Sequence, residues 1–148
     1  MIRKRTQARE FALQILYQHE MNPQPLEELL ASFWEENATQ PEEVRSFANF
    51  LVRGTLDHIT EIDEVLARYT ENWQLNRMAA IDRNIMRFAV FELLYVEDIP
   101  PKVSINEAVN IAKKFSQEES GKFVNGVLDK INHTEKPRVT RSHDNLRE

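Results

Sequence analysis

The sequence predicts an all-α protein of six to seven helices, and three observations support this prediction. Glycine occurs only three times in 148 residues. The strict alternation of apolar and polar residues that marks a half-buried strand is hard to find. Apolar residues instead recur at spacings of three and four, as on the buried face of a helix. The length suits one domain, or two small subdomains that share a core.

The first four helices are predicted from apolar stripes with breaks between them. One stripe covers residues 3–19 and ends before the proline-containing loop at 22–25. A second stripe occupies residues 26–34. The third, at 41–54, begins with a proline, which suits the first turn of a helix. The fourth covers residues 56–69 and carries its acidic residues on the opposite face.

The second half contains the helix that we expect to be the most buried. Residues 88–96 are apolar nearly all round, which is typical of a helix enclosed on most sides, and the proline pair at 100–101 ends it. Ser104 with Glu107 matches a capping box, so we expect the next helix to be capped by Ser104. Ser120 is expected to cap the last helix.

We expect one helical domain over residues 1–134. Residues 73–76 read as a connection, which predicts two subdomains at about residues 1–72 and 73–134. Residues 135–148 are polar and are predicted to form a flexible tail.

Charge is distributed unevenly along the chain. The totals are 19 Lys and Arg against 24 Asp and Glu, a formal net charge of −5. Four of the first nine residues are basic, whereas residues 10–44 contain eight Glu and neither Lys nor Arg. Because salt screens charges beyond about 8 Å under physiological conditions, an acidic protein can still carry a basic contact site. The net charge therefore does not exclude a nucleic-acid partner.

Composition excludes several classes of protein. The absence of cysteine excludes a disulfide scaffold, a thiolate metal site and a cysteine nucleophile. No apolar stretch approaches the length of about 18 residues that spans a membrane. The basic N terminus leads into an amphipathic helix rather than the apolar core of a signal peptide. We expect a cytoplasmic protein with no membrane partner.

Catalytic and metal-binding patterns are missing from the sequence. There is no glycine-rich phosphate loop, and the four histidines lack the spacing that presents two metal ligands on one helix face. Glu92, inside the apolar helix, could carry a raised pKa suited to acid–base work, but a hydrogen bond within the core is the favoured interpretation. We expect no enzyme activity, no catalytic residue, no metal and no cofactor.

Two features suit contact with RNA. Arg5 and Arg9 lie four residues apart on one face of the first helix, beneath a basic arm at residues 3–4, and guanidinium groups bind phosphate oxygens well. In the last helix, Phe123 falls at the rim of the buried stripe, beside Lys122. A rim aromatic of this kind can stack an unpaired base or pack on a neighbouring helix, and the spacing favours neither.

Four blocks of the sequence resemble the NusB family of transcription antitermination factors. They keep their order and spacing over about residues 3–132, and the stretch KFVNGVLDK is the most specific. The other blocks are Ala8-Arg9-Glu10 with residues 12–18, IDRNIMRFAVFELLY at 81–95 and IPPKVSINEA at 99–108. The resemblance implies an all-helical fold of two small packed bundles.

The resemblance also implies what the protein binds. It implies recognition of the single-stranded boxA element of nascent ribosomal RNA together with NusE, a small-subunit ribosomal protein, within an RNA polymerase antitermination complex. In the family the basic run usually continues up to Ala-Arg-Glu, whereas here Thr6-Gln7 interrupts it. The residues implied for RNA contact are Arg3, Lys4, Arg5, Arg9, Tyr17, Glu119, Lys122 and Phe123. Those implied for NusE contact are Asp82, Arg83 and Glu92.

Two other functions compete with this interpretation. The basic arm and the Phe123 region could dock an acidic protein, which would make the chain a helical protein–protein interaction module without direct RNA contact. NusB-like domains also occur fused to ribosomal RNA methyltransferases, but this sequence shows neither Rossmann-type strands nor a cysteine. The sequence leaves open whether the free protein forms a homodimer.

Overall fold

The structure, a computed structural model, describes residues 3–70 and 77–138. These residues form seven α-helices and no strand, which confirms the all-α prediction. No helix among them is long and apolar enough to cross a membrane. The helices are α1 (Lys4–Met21), α2 (Leu26–Glu36), α3 (Glu42–Asp57), α4 (Ile59–Tyr69), α5 (Ala80–Tyr95), α6 (Pro101–Phe115) and α7 (Glu118–Thr134).

The helices divide into two compact units, with the division between Asp57 and His58. The sequence places this boundary near residues 73–76, which lie outside the described residues. The difference is helix α4, which packs on α5 and α7 and so belongs to the second unit. A single residue, His58, separates α3 from α4, so no loop composition marks the boundary in the sequence.

The first unit contains α1, α2 and α3. Helix α1 packs on both of the others, and the rings of Phe11, Phe33 and Trp34 meet edge to face with centroids 4.9–5.8 Å apart. The indole nitrogen of Trp34 donates a hydrogen bond to Asn49 across 2.8 Å, so α2 is tied to α3 at a mostly buried position. Aromatic pairs in this geometry stabilise a core beyond the area that they bury.

The second unit is built around α5, which contacts α4, α6 and α7. Of its 16 residues, 12 are buried, so the prediction of a central, enclosed helix is confirmed. The buried set includes polar side chains as well as apolar ones. Burial of a polar group is costly unless it is hydrogen-bonded, so the partners of these side chains come from the helices that surround α5.

Both predicted serine caps are wrong. Helix α6 begins at Pro101, one turn before Ser104, because a proline has the backbone angle of a first helical residue and lacks only an N–H that would be unsatisfied there anyway. Helix α7 begins at Glu118, so Ser120 also lies inside its helix. The two hydroxyls instead donate to carboxylates of α5: Ser104 to Glu92 across 2.7 Å and Ser120 to Asp82 across 3.0 Å.

Residues 135–138, the start of the predicted flexible tail, are held against helices α4 and α5 within the second unit. Glu135 accepts hydrogen bonds from the Tyr69 hydroxyl (2.7 Å) and from Arg68 (3.0 Å). Arg138 donates to Glu61 across 2.8 Å, and its backbone N–H donates to a carbonyl of α5. The expectation of a loose chain therefore does not apply to these four residues, and residues 139–148 lie outside the described residues.

Candidate nucleic-acid interface

The basic side chains at the start of α1 are exposed. Arg3 is the N-cap residue, and Lys4 and Arg5 follow in the first turn, which contains no acidic residue. The N-terminus of a helix already carries a partial positive charge from its unsatisfied N–H groups. The basic side chains at this end are repelled by the partial positive charge of the helix N-terminus. An anion, in contrast, would be attracted both by these side chains and by the helix N-terminus. The first turn of α1 is thus suited to a phosphate group.

Two arginines of α1 share one aromatic ring of α3. The guanidinium carbon of Arg5 lies 4.3 Å from the centroid of Phe47, and that of Arg9 lies 5.4 Å from it. Stacking on a ring restricts the orientation of a guanidinium group, and in the exposed Arg5 the N–H donors at its edges remain accessible to a ligand. The prediction that Arg5 and Arg9 lie on one face is therefore met within the first unit, with Phe47 as an addition that the sequence did not suggest.

Arg9 is only 2% exposed, unlike Arg5. In the described structure it offers a ligand little surface, so its implied RNA contact remains a prediction. Replacing it by an acid would bury a carboxylate and disturb the fold. Arg5 is therefore the better position at which to test the basic surface.

Lys4 and Tyr17 differ in how they relate to this surface. The ammonium of Lys4 lies 2.6 Å from a carboxylate oxygen of Glu43, in a pair that is largely exposed on both sides. Pairs of this kind contribute at most about 1 kcal/mol, so Lys4 can exchange its partner readily. Tyr17 is exposed, but twelve residues of helix place it about 18 Å along the axis from Arg5 and about 120° around it. The structure does not bring Tyr17 and Arg5 together.

Three of the predicted site residues of the second unit line a cavity of about 340 Å³. Phe123 and Glu119 contribute from α7 and its first turn, and Asp82 contributes from α5. Phe123 is half-buried, so its predicted position at the rim of the helix stripe is confirmed. Lys122, beside it, is exposed. The complete lining is Met78, Ala79, Asp82, Gln117, Glu119, Ser120 and Phe123.

Asp82 determines the chemistry of this cavity. Asp82 is 8% exposed, and its Oδ2 atom accepts the hydrogen bond from Ser120. The Oδ1 atom is buried and has no hydrogen-bond partner among the described residues. A buried acceptor that lacks a donor carries a desolvation cost of about 1–3 kcal/mol, and more when it is charged. Asp82 and Glu119 place two carboxyl side chains beside the ring of Phe123, so the cavity suits a cationic or aromatic group and not a phosphate.

The other two residues implied for NusE contact are buried. Arg83 donates a hydrogen bond to the backbone carbonyl of Met78 across 2.8 Å. Glu92 is 1% exposed and accepts its hydrogen bond from Ser104. Arg83 and Glu92 therefore offer a partner little surface in the described structure, and their implied contact with NusE remains a prediction. The hydrogen bond of Glu92 within the core is the one that the sequence favoured.

The comparisons with known proteins agree on one family. A family model described as the NusB family matches residues 6–133. The transcription antitermination protein NusB of Myxococcus xanthus is 50% identical over 131 residues, covering 86% of this chain and 93% of that protein. The protein of the same name from Thermodesulfovibrio yellowstonii is 47% identical over 137 residues, covering 86% and 91%.

Solved structures show the same fold. T. maritima NusB matches with a TM-score of 0.82 at 39% identity, covering 93% of this chain and 96% of that one. A crystal structure of the antitermination factors NusB and NusE in complex with double-stranded RNA matches with a TM-score of 0.80 at 31% identity, covering 90% and 98%. With the family match extending over most of its length, the chain belongs to the NusB family, whose members are transcription antitermination factors and not enzymes.

Proposed function

We propose that this protein binds the single-stranded boxA element of nascent ribosomal RNA together with NusE, and that the complex helps RNA polymerase to read through terminators. The observation that carries the proposal is the exposed Arg5 guanidinium, held on the Phe47 ring at the basic start of α1. The solved complex of a NusB with NusE and RNA supports both partners. A factor that acts on nascent transcripts works in the cytoplasm, as the sequence predicts.

The basic turn of α1 would bind the RNA backbone. Arg3, Lys4 and Arg5 are exposed there and can each neutralise a phosphate. Three such contacts to a single strand give a slope of log K against log salt of about −2. This part of the interface carries no sequence information, because every nucleotide presents the same phosphate.

The cavity of the second unit would bind an unpaired base. The half-buried ring of Phe123 lines the cavity and offers a stacking surface. Stacking on an aromatic ring contributes about 1–3 kcal/mol per base and requires that the base be unpaired. This arrangement favours single-stranded over duplex RNA.

The acidic remainder of the chain explains why NusE would be needed. The eight Glu between residues 10 and 44 and the net charge of −5 oppose the approach of a polyanion. A basic ribosomal protein would offset this repulsion and extend the positive surface. Two acidic residues of the second unit, Asp82 and Glu119, suit the lysine and arginine side chains of such a protein. We therefore propose weak binding of RNA alone and strong binding with NusE.

The test is a fluorescence anisotropy titration of labelled single-stranded boxA RNA, with and without NusE. The variant Arg5→Glu should lower the affinity roughly tenfold or more and reduce the salt slope by about one, since each single-strand phosphate contact contributes about 0.7. The variant Lys102→Glu is the matched control, because it makes the same change in net charge at an exposed position of α6.

The alternative function, a protein-binding module without RNA contact, predicts a different result. RNA would then cause no anisotropy change in either condition, while NusE would still bind. The acceptor pair of Asp82 and Glu119 is the observation that favours this alternative, since it suits a basic side chain as well as a base. Sedimentation of the free protein, with and without RNA, reports whether a homodimer occupies the same surface.

A further inference from the structure

The aromatic stack beneath Arg5 continues to a second, more exposed ring. Phe50 lies one turn after Phe47 on α3, with the two ring centroids 6.0 Å apart and their planes inclined by 27°. The residue is 45% exposed. Arg5 and Phe50 therefore both lie within 6.0 Å of the Phe47 ring, Arg5 by its guanidinium carbon and Phe50 by its centroid.

The buried stripe of α3 does not account for an aromatic residue at Phe50. The buried stripe of this helix consists of Val44, Ala48, Leu51, Val52 and Thr55, and all five are 0% exposed. Phe50 lies outside that stripe, and its stacking on Phe47 leaves almost half of the residue exposed. A phenylalanine left half in water forgoes much of the free energy that its burial would contribute. Its position beside the basic turn of α1 suggests a ligand that has an aromatic part and an anionic part.

A nucleotide has both parts. Guanidinium groups bind its phosphate, and an aromatic side chain stacks on its base, which is how single strands are bound without regard to sequence. An acidic peptide would satisfy Lys4 and Arg5 but would leave the stacked rings of α3 without a matching group. The combination of a ring-held arginine and an exposed ring in register with it favours RNA.

We propose that Phe50 is a base-stacking residue, and that the RNA-binding surface extends from the first turn of α1 onto α3. A nucleotide whose phosphate is bound by Arg5 lays its base, or that of its neighbour, against the exposed part of the Phe50 ring. Phe47 acts as a positioning residue, because its ring contacts both the Arg5 guanidinium and the Phe50 ring. The inference rests on the proposed RNA binding and adds a stacking site in the first unit.

The experiment compares Phe50→Ala with the unchanged protein on single-stranded boxA RNA in the presence of NusE. 2-Aminopurine is placed at each position of the RNA in turn, because its fluorescence falls when it stacks on an aromatic ring. We expect one position to be quenched by the unchanged protein and not by Phe50→Ala, with an affinity loss on the order of tenfold. The salt slope should stay constant, since no charge is removed.

An abasic nucleotide at the quenched position gives the decisive comparison. If Phe50 stacks on that base, the abasic RNA should bind both proteins equally, because the group that Phe50 contacts is absent. Met21→Ala is the matched control: Met21 is 51% exposed, lies in the same unit at the far end of α1, and should change neither affinity nor quenching. Circular dichroism melts of both variants check that the helices are intact.

Three results would overturn the inference. Equal quenching by the unchanged protein and Phe50→Ala at every position, or an affinity loss that persists on the abasic RNA, excludes stacking on Phe50. A loss of NusE affinity without a loss of RNA affinity assigns the ring to a protein partner. If the unchanged protein binds no RNA with or without NusE, the proposed function itself fails, which is a separate outcome from the loss of the Phe50 effect alone.

Discussion

Helix α5 contains two carboxylates, Asp82 and Glu92, that have similar hydrogen bonds but different surroundings. Asp82 and Glu92 each accept a hydrogen bond from a serine inside a later helix. Asp82 lines a cavity and retains a buried oxygen without a donor among the described residues, whereas Glu92 is 1% exposed and lies outside that cavity's lining. The comparison shows that burial alone does not separate a structural acid from a binding one. The accessible space beside the carboxylate separates them.

The largest expected effect is on stability and concerns Glu92. Glu92→Ala should lower the free energy of unfolding by about 2–4 kcal/mol, because it leaves a cavity beside α5 and a buried Ser104 hydroxyl without its acceptor. Urea denaturation followed by circular dichroism measures this loss. Glu92→Gln keeps the acceptor oxygen and most of the volume, so it is the control and should cost less than the alanine variant. Equal losses in the two variants would show that the charge of Glu92 matters more than its hydrogen bond.

At Asp82 we expect a smaller loss of stability than at Glu92, together with a loss of RNA affinity. Asp82→Asn preserves an acceptor for Ser120 and removes a desolvated charge, so the free energy of unfolding should change by less than about 1 kcal/mol. The affinity for RNA with NusE should fall roughly tenfold, because a hydrogen bond to a charged acceptor is weakened. Fluorescence anisotropy measures the affinity, and urea denaturation of the same preparation measures the free energy of unfolding. A stability loss as large as that of Glu92→Ala would remove the distinction between the two acids.

The smallest expected effect concerns a third carboxylate, at the anchored segment after α7. The hydroxyl of Tyr69 and the guanidinium groups of Arg138 and Arg68 hold the pKa of Glu135 below its usual range. A lowered pKa in the folded state stabilises the protein above the unfolded-state pKa of about 4.3, and this contribution is lost as the pH falls through the folded-state value. The loss should stay below about 1 kcal/mol, because Arg68 is largely exposed and solvent screens its attraction to Glu135.

The measurement at Glu135 is urea denaturation at a series of pH values from 6 down to 3. The stability of the unchanged protein should fall more steeply with acid than that of Glu135→Gln, in which this group no longer titrates. Parallel curves for the two proteins would mean that Glu135 has no part in the acid response. In that case the backbone hydrogen bond from Arg138 to Leu94, and not Glu135, would hold residues 135–138 in place.

The helices were predictable from the sequence because their apolar spacing is local information. The enclosed helix at residues 88–96 is a clear case, since an apolar run with no polar face has to be buried. Serine caps were mispredicted for the opposite reason. A serine before an apolar stripe gives the same sequence pattern in two cases: its side chain accepts a hydrogen bond from an N–H of its own helix, or its hydroxyl donates one to another helix. Only the positions of Asp82 and Glu92 in space decide between these two cases.

The candidate site was predictable in part. The basic residues 3–5 and the rim position of Phe123 follow from composition and helical angle. The burial of Arg9 does not follow from them, because it depends on the packing of α1 against α3, which includes the contact with the Phe47 ring. The exposure of Phe50 was equally hidden, since an aromatic residue one position from a buried stripe has no pattern of its own. Both depend on which helix faces which, and that is set by packing between elements.

The ion pair between Lys4 and Glu43 has a consequence for what Lys4 would contribute to RNA binding. When Lys4 moves to a phosphate, it gives up an exposed ion pair that contributes at most about 1 kcal/mol. The cation that it displaces from the RNA is still released, so Lys4 would contribute to the salt dependence like Arg3 and Arg5. The affinity that Lys4 adds would be smaller than its charge alone supplies, because the contact with Glu43 has to be broken first.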